Sequence, residues 1–254
     1  MSVIGVVSMK GGVGKTSITA NLAAALGKRL GTGRVSVIDL DPQNALHWHF
    51  GLEGHDGEGI CELASGPHDL SAIALTSEHG VTCLPYGTGD EPDREAFEAT
   101  LIAQPDWIGH QIKRARLDED AVVLIDTPPG SSVYMNQVLA CADLLLIVVL
   151  ADAGSYATIP AMESYLCEHS AQHSTPDSFY LLNQVDRHEP LNRDVADMLR
   201  RQLGDRLVPV GIHADQAVSD AMAFQQPVVV YDPHGQASHD VVRLASWVID
   251  VLNR

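Results

Sequence analysis

The run Lys10-Gly-Gly-Val-Gly-Lys-Thr-Ser17 places two lysines, three glycines and two hydroxyl side chains in eight consecutive positions. These residue types together suit the capture of a multiply charged anion. Glycines let the backbone wrap closely and aim its N–H groups inward, an ammonium group adds charge, and a hydroxyl offers a ligand to a hard divalent cation. The run follows the apolar stretch "SVIGVVS" and opens an alanine-rich stretch, so it reads as a loop between a strand and the N-terminus of a helix, the context in which a P-loop binds phosphate. Gly11, Gly12, Val13 and Gly14 then form the cradle, Lys15 reaches the β- and γ-phosphates, Thr16 offers its hydroxyl to Mg²⁺, and Ser17 completes the turn.

Carboxylates recur where such a site needs them. In "VIDLDPQNA", Asp39 and Asp41 stand two residues apart at a strand end, so their side chains leave it in similar directions. In "AVVLIDTPPG", Asp126 ends a fully apolar strand, placed to hold Mg²⁺ through water. The following Thr127-Pro128-Pro129-Gly130 forms a stiff turn suited to sensing a γ-phosphate. Asn183, in "YLLNQVD", carries an amide that can both donate and accept. Taken alone it reads equally as a turn or cap residue.

The elements that must position these groups are legible as a rhythm. Short β-branched runs start at Ser2, end at Asp39, start at Val81, and end at Asp126, Leu150, Gln184 and Ile212, with helical stretches between them. Most are apolar on both faces, as strands covered by helices on either side should be. The pattern predicts one α/β domain over residues 1–254: a doubly wound, mostly parallel sheet with helices on both faces, ligands gathering at the carboxyl ends of its strands. Helices are expected over Lys15–Leu30, Ser132–Ala142, Ala157–His169, Leu191–Leu203, Ala217–Phe224 and Ser238–Leu252, and Pro105 should divide Asp93–Arg116 into two helical pieces. Residues 47–76, richer in Gly, His and Asp, are read as short helices or a mobile surface loop.

Composition narrows the partners. Sixteen basic against 33 acidic residues give a net charge of -17, a field that repels nucleic acid and anionic lipid. Lys10, Lys15, Lys28 and Lys113 are the only lysines. Two of them lie in the quoted loop, which makes it the best anion site in an acidic chain. No secretory signal and no apolar run near the ~20 residues of a membrane span is visible, so a soluble, cytoplasmic protein is expected. Cys61, Cys83, Cys141 and Cys167 lack C-x-x-C spacing and read as reduced thiols. The 12 histidines, "HWHF" at 47–50 included, show no metal-ligand spacing.

The loop departs from the common P-loop pattern, with Met9 at the first glycine and an extra lysine, Lys10, after it. In this it resembles the ParA/MinD family of deviant Walker-A ATPases, whose signature is K-G-G-x-G-K-[ST]. The resemblance implies a P-loop NTPase fold, ATP and Mg²⁺ as ligands, slow hydrolysis in the absence of a partner, and a homodimer with ATP at its interface. By the same resemblance, Lys10 reaches nucleotide held by the other subunit, Asp41 orients or activates the attacking water, Asp39 supports the Mg²⁺ shell, and Asn183 reads the adenine edge. The segment "GIHADQAVSDAMAFQQPVVVYDPHG" resembles the family's closing segment, with His213 where a proline is usual, and it places His213 and Asp215 beside the base. Its I-H-x-D-x-A pattern and later Q-P-V look like the cellulose-secretion subgroup BcsQ.

The function implied is an ATP-driven dimerisation switch that positions or assembles a partner complex, the cellulose synthase machinery with its accessory proteins, at the cell pole or the inner face of the membrane. A DNA-partitioning ATPase is the alternative, but it needs a basic stripe where this chain has only Lys113-Arg114-Arg116. An iron–sulfur reductase of the same superfamily would need two loop cysteines, whereas Cys141 reads as a buried helix end. The last helix, with Arg243 and Arg254 as its only basic residues, reads as a packed helix and not a membrane tail.

Overall fold

The computed structural model describes residues 1–52, 57–63, 70–170 and 175–253. Seven strands form one sheet: β1 (Ser2–Val7), β2 (Val35–Asp39), β3 (Leu75–Thr76), β4 (Val81–Leu84), β5 (Val122–Asp126), β6 (Leu144–Leu150) and β7 (Asp177–Asn183). Their order is β3-β4-β2-β5-β1-β6-β7, and every pair is parallel except β3 with β4.

The strands are apolar throughout because both faces are covered. Val3 and Val7 of β1 join one buried cluster, with Val123, Ile125, Leu145 and Ile147, while Ile4 and Val6 join the other, with Val35, Val37, Leu124, Leu144 and Leu146. Helices α3 (Glu91–Ala103), α4 (Trp107–Arg114), α5 (Val133–Cys141), α6 (Ala153–Ser170) and α7 (Pro190–Leu203) supply the first layer. The second layer consists of α1 (Lys15–Leu30), α8 (Gln216–Ala223), α9 (Val228–Tyr231) and α10 (Gln236–Leu252). Small residues let α1 lie between the sheet and α10: Ala20, Ala23, Ala24 and Ala25 are all buried. On the opposite face α5 crosses β1 at Gly5, where a Cβ would fall 2.2 Å from Val138 Cγ1.

Residues 47–76 hold short helical pieces where they are described: 3₁₀ turns at Leu46–Phe50 and Leu70–Ile73, and α2 (Ile60–Leu63). Positions 53–56 and 64–69 lie outside the described residues, as does Arg254 of the last expected helix. Pro105 does separate α3 from α4, and α10 packs against α1.

Two sequence expectations need correction. The run ending at Ile212 is no regular strand: Val208 N and Ile212 N donate to Tyr180 O and Leu182 O, so four residues on one side span two on β7. The excess bulges out around Pro209, which has no N–H for a ladder. Helix α6 starts at Ala153 and not Ala157, because Asp152 Oδ1 accepts Ser155 N at 2.6 Å and caps it earlier. Where no element was expected, β-branched "VVVY" forms the single helical turn α9, whose first N–H is taken by Asn21 Oδ1 at 2.6 Å. Among the described residues no helix is long and apolar enough to cross a membrane.

Candidate functional site

The site lies at the carboxyl ends of β1, β2 and β5, where the loop from Ser8 to Gly14 leads into α1. Gly12 (φ 72°) and Gly14 (φ 85°) are in the left-handed region that favours glycine. At Gly14 a Cβ would also fall 2.5 Å from Asn183 Nδ2. Gly14 is the N-cap of α1, and among the described residues no side chain caps its first turn, so these N–H groups face the cradle. Lys15 is 7% exposed and donates to Ser8 Oγ at 3.1 Å, and Ser8 Oγ donates to Lys10 O at 2.7 Å. Burial lowers the Lys15 pKa, while Asp126 and then Asp41 oppose the shift. Among the described residues no carboxylate lies within ion-pair distance of this buried ammonium, a place a triphosphate oxygen would fill.

Asp39 and Asp126 are register partners in the β2–β5 ladder, both fully buried. Asp126 Oδ2 accepts Thr16 Oγ1 at 2.6 Å. Burial pushes the Asp126 carboxyl up to about 7; the Thr16 bond and Lys15 pull it down, and Asp41 adds to the rise. Asp39 is also raised well above the usual carboxylate range, by burial first and by the Asp126 charge second. A hydroxyl bonded to a carboxylate, in a pocket with an excess of negative charge, is a donor set that fits Mg²⁺, which commonly takes one or two protein oxygens and completes its shell with phosphate and water. Among the described residues no three His, Cys, Asp or Glu groups form a full protein cage. Asp39 differs from Asp126 in one respect: its two oxygens accept Asp41 N (2.9 Å) and Leu46 N (3.0 Å), so it shapes the loop that carries Asp41.

Asp41 is half-buried, and its Oδ1 accepts Gln43 N at 3.0 Å. The turn continues through Asn44 (φ 48°), whose Oδ1 accepts Tyr86 N at 3.0 Å and ties the loop to the segment after β4. On the other side Gly130 N donates to Ser8 O at 2.8 Å, which fastens the Thr127–Gly130 turn to the P-loop. Thr127 Oγ1 itself donates to Val6 O at 3.0 Å, back into the sheet.

Beside the P-loop opens a cleft of about 430 Å³, lined by Gly14, Ser17, Asn183, His213 and Asp215 among others. Its size suits a nucleoside. Asn183 Nδ2 donates to Val13 O at 2.8 Å, which leaves its second N–H and its Oδ1 available to a ligand. Asp215 accepts Ala217 N (3.0 Å) and Ala237 N (3.1 Å), joining the starts of α8 and α10 with both oxygens. His213 Nδ1 lies 2.7 Å from Asp240 Oδ2.

Lys10 points elsewhere. Its Nζ donates to Asp152 Oδ2 at 2.6 Å on the rim, both side chains more than a third exposed. Burial is the largest single influence on the Asp152 carboxyl and raises it, but the bonds from Lys10 and Ser155 and the Lys10 charge together more than reverse that, leaving it below the usual carboxylate range. Sequence reasoning missed Ser8, Asp152 and Asp240. Ser8 precedes the P-loop signature by two residues and could have been found from its hydroxyl; Asp152 and Asp240 sit 142 and 27 residues from their partners and left no local signal. The discounted groups fall away from the site: His49, its pKa lowered by burial to about 4, stays neutral in the turn at 46–50, and Cys141 is the last residue of α5, its thiol pushed up to about 12 chiefly by burial.

Comparison with known proteins agrees with this architecture. A family profile described as "Cellulose biosynthesis protein BcsQ" matches residues 1–249. The BcsQ protein of Salmonella typhimurium is 29% identical, over 98% of this chain and 94% of its own length. Among solved structures, the cell division ATPase MinD of Pyrococcus furiosus superposes with a TM-score of 0.76 at 23% identity, covering 98% of this chain and 99% of its own. The septum site-determining protein MinD of Pyrococcus horikoshii, complexed with Mg-ADP, gives 0.75 at 22%, covering 97% and 95%. The fold is therefore that of the MinD-like P-loop proteins, and the chain belongs to the BcsQ family of cellulose biosynthesis proteins.

Proposed function

We propose that the chain is a Mg-ATP-dependent dimerising switch with slow hydrolysis, whose output is the positioning or assembly of a partner complex. The observation that carries the reading is the divergence of the two loop lysines: Lys15 is buried in its own cradle, whereas Lys10 sits on the rim in an ion pair with Asp152. An exposed pair of this kind contributes at most about 1 kcal/mol. Lys10 is therefore free to exchange Asp152 for the triphosphate of a second copy, and in this reading ATP binding and dimerisation are one event.

Within each cradle the N–H groups of the loop and Lys15 hold the β- and γ-phosphates, and Asn183 and His213 border the base. Thr16 would hold Mg²⁺ directly and Asp126 through water, with Asp39 fixing the adjoining loop; the ion, when bound, neutralises charge on the β- and γ-oxygens. Asp41 orients a water for attack on the γ-phosphorus and receives its proton as the bond to the ADP oxygen breaks, leaving ADP and phosphate. The two copies then part, and the turn at 127–130 reports the loss of phosphate.

The family name supports cellulose synthesis or secretion as the process served, with accessory proteins of that machinery as partners and recruitment to the pole or membrane through them. Size-exclusion chromatography with ATP, ADP or no nucleotide tests the switch. Wild type should dimerise in ATP alone, Asp41→Ala should stay a dimer after ATP addition, and Lys10→Ala should remain a monomer. Identical elution of all three in ATP would refute it.

A further inference from the structure

The short basic run Lys113-Arg114-Arg116 has no part in the nucleotide chemistry. It closes α4 and leads to the amino end of β5, whereas Asp126 and the P-loop lie at the carboxyl ends of their strands. There it borders an open cleft of about 540 Å³, lined by Trp107, His110, Gln111, Lys113, Arg114 and Arg116 among others.

Lys113, Arg114 and Arg116 are all exposed, and among the described residues no carboxylate pairs with any of them. The nearest acids in sequence are engaged elsewhere: Arg34 holds Asp118 and Asp120, and Asp106 lies 3.0 Å from His110 Nε2. A chain of net charge -17 has carboxylates to spare, so three adjacent cations left without one form a local positive field open to an outside ligand. Arg116 also sits just past the end of α4 at φ 48°, the left-handed conformation where helices usually place glycine, so the backbone bears strain with a guanidinium at this point.

Gln111 decides what kind of ligand fits. The residue is 8% exposed, and among the described residues its Oε1 has no hydrogen-bond partner. A buried acceptor left open is costly, and the broad terminal torsion of glutamine lets the amide turn toward the cleft it lines. The fitting ligand brings negative charge for the cations and an N–H for this oxygen. A phosphate backbone brings acceptors only. A bilayer calls for a protruding apolar side chain, whereas Trp107, the one large apolar residue of the lining, is 6% exposed. An extended peptide with carboxylate side chains brings both.

We propose that this cleft docks an acidic, extended segment of a partner protein, with carboxylates on Lys113, Arg114 and Arg116 and a backbone N–H on Gln111 Oε1. Because the cleft lies at the sheet edge opposite the P-loop, a partner can stay attached while two copies join and part. The inference rests on the proposed role of the chain in positioning a partner.

The test is fluorescence anisotropy of a labelled peptide alternating Glu and Ala, titrated with the full chain. The peptide should bind, and more weakly as salt rises. Arg116→Gly relieves the positive φ, so the variant still folds; it should lose about fivefold in affinity, which Arg116→Lys restores in part. Gln111→Leu should weaken the peptide about fivefold and leave inorganic polyphosphate, which contacts the cations alone, unchanged. Equal peptide affinity in wild type and these variants overturns the proposal, as does a peptide that fails to bind wild type. Tighter binding of duplex DNA or of phosphatidylglycerol vesicles at matched charge overturns it by assigning the cleft to those ligands. Self-association without nucleotide that Arg116→Gly abolishes overturns it in favour of a second copy. Dimerisation in ATP, followed in parallel by size-exclusion chromatography, separates the two readings. A wild type that dimerises but ignores the peptide loses this inference alone, and one that binds the peptide but never dimerises loses the switch alone.

Discussion

Replacing Asp126 by asparagine should stabilise the nucleotide-free protein at neutral pH while abolishing Mg²⁺-dependent nucleotide binding. The Asp126 carboxyl is raised from 3.8 to about 7, chiefly by burial. A raised carboxyl means the folded state binds more protons than the unfolded chain between these values, so its contribution is intact below about pH 4 and is lost as pH rises to about 7. From pH 5 to pH 7 the loss is about two units at ~1.36 kcal/mol each, about 3 kcal/mol. Asp39 is raised as well and shares the charge of this pair, so the part due to Asp126 alone is smaller, on the order of 1–2 kcal/mol. Asparagine keeps an oxygen for the Thr16 hydroxyl and has no charge to desolvate. At 2–4 °C per kcal/mol for a chain of this size, the Tm advantage of Asp126→Asn over wild type should widen by roughly 2–8 °C between pH 5 and pH 8. Differential scanning fluorimetry across pH reads this directly. A Tm difference that is constant with pH, or an asparagine variant less stable at pH 8, would refute the reasoning. Adding Mg-ATP at pH 8 should stabilise wild type and leave Asp126→Asn unmoved.

Two further changes probe the loop. Asp152→Asn keeps an oxygen to cap α6 but removes the charge that holds Lys10, so the ATP concentration giving half-maximal dimer by light scattering should fall two- to fivefold, the range an exposed ion pair allows. Gly14→Ala forces a Cβ to 2.5 Å from Asn183 Nδ2 at φ 85°; it should cost ~1–3 kcal/mol in denaturant unfolding and weaken ATP binding by more than about tenfold.

The sheet was legible because its strands are buried on both faces, and unbroken apolar runs such as Leu144–Leu150 leave few other readings. The P-loop was legible because glycine, lysine and threonine occur there at fixed offsets and in sequence. Elements decided by tertiary partners were not. Leu75–Thr76 pairs with β4 over two residues only, too short for any periodicity. The Val228–Tyr231 turn goes against its β-branched composition because Asn21, 207 residues away, takes its first N–H. The same limit applied in the site. Asp39 and Asp41 look alike in sequence, yet the fold closes both Asp39 oxygens on backbone amides and leaves Asp41 half-open, and the Lys10–Asp152 and His213–Asp240 pairs exist only once distant loops meet.

The central claim is that the triphosphate in one cradle is completed by Lys10 of a second copy, and mixing two defective variants tests it most directly. Lys10→Ala and Asp41→Ala, each inactive alone, are combined before ATP is added and phosphate release is measured. In a mixed dimer, the Lys10→Ala copy keeps Asp41 beside its own nucleotide and receives Lys10 from its partner, so one site of two is complete. Lys10→Ala does not pair with itself, so mixed dimers compete only with Asp41→Ala pairs, and hydrolysis should rise well above either component, to at most about half of wild type. If Lys10 instead serves its own nucleotide, each site in every dimer lacks one of the two groups, and a mixture as inactive as its components would contradict the account.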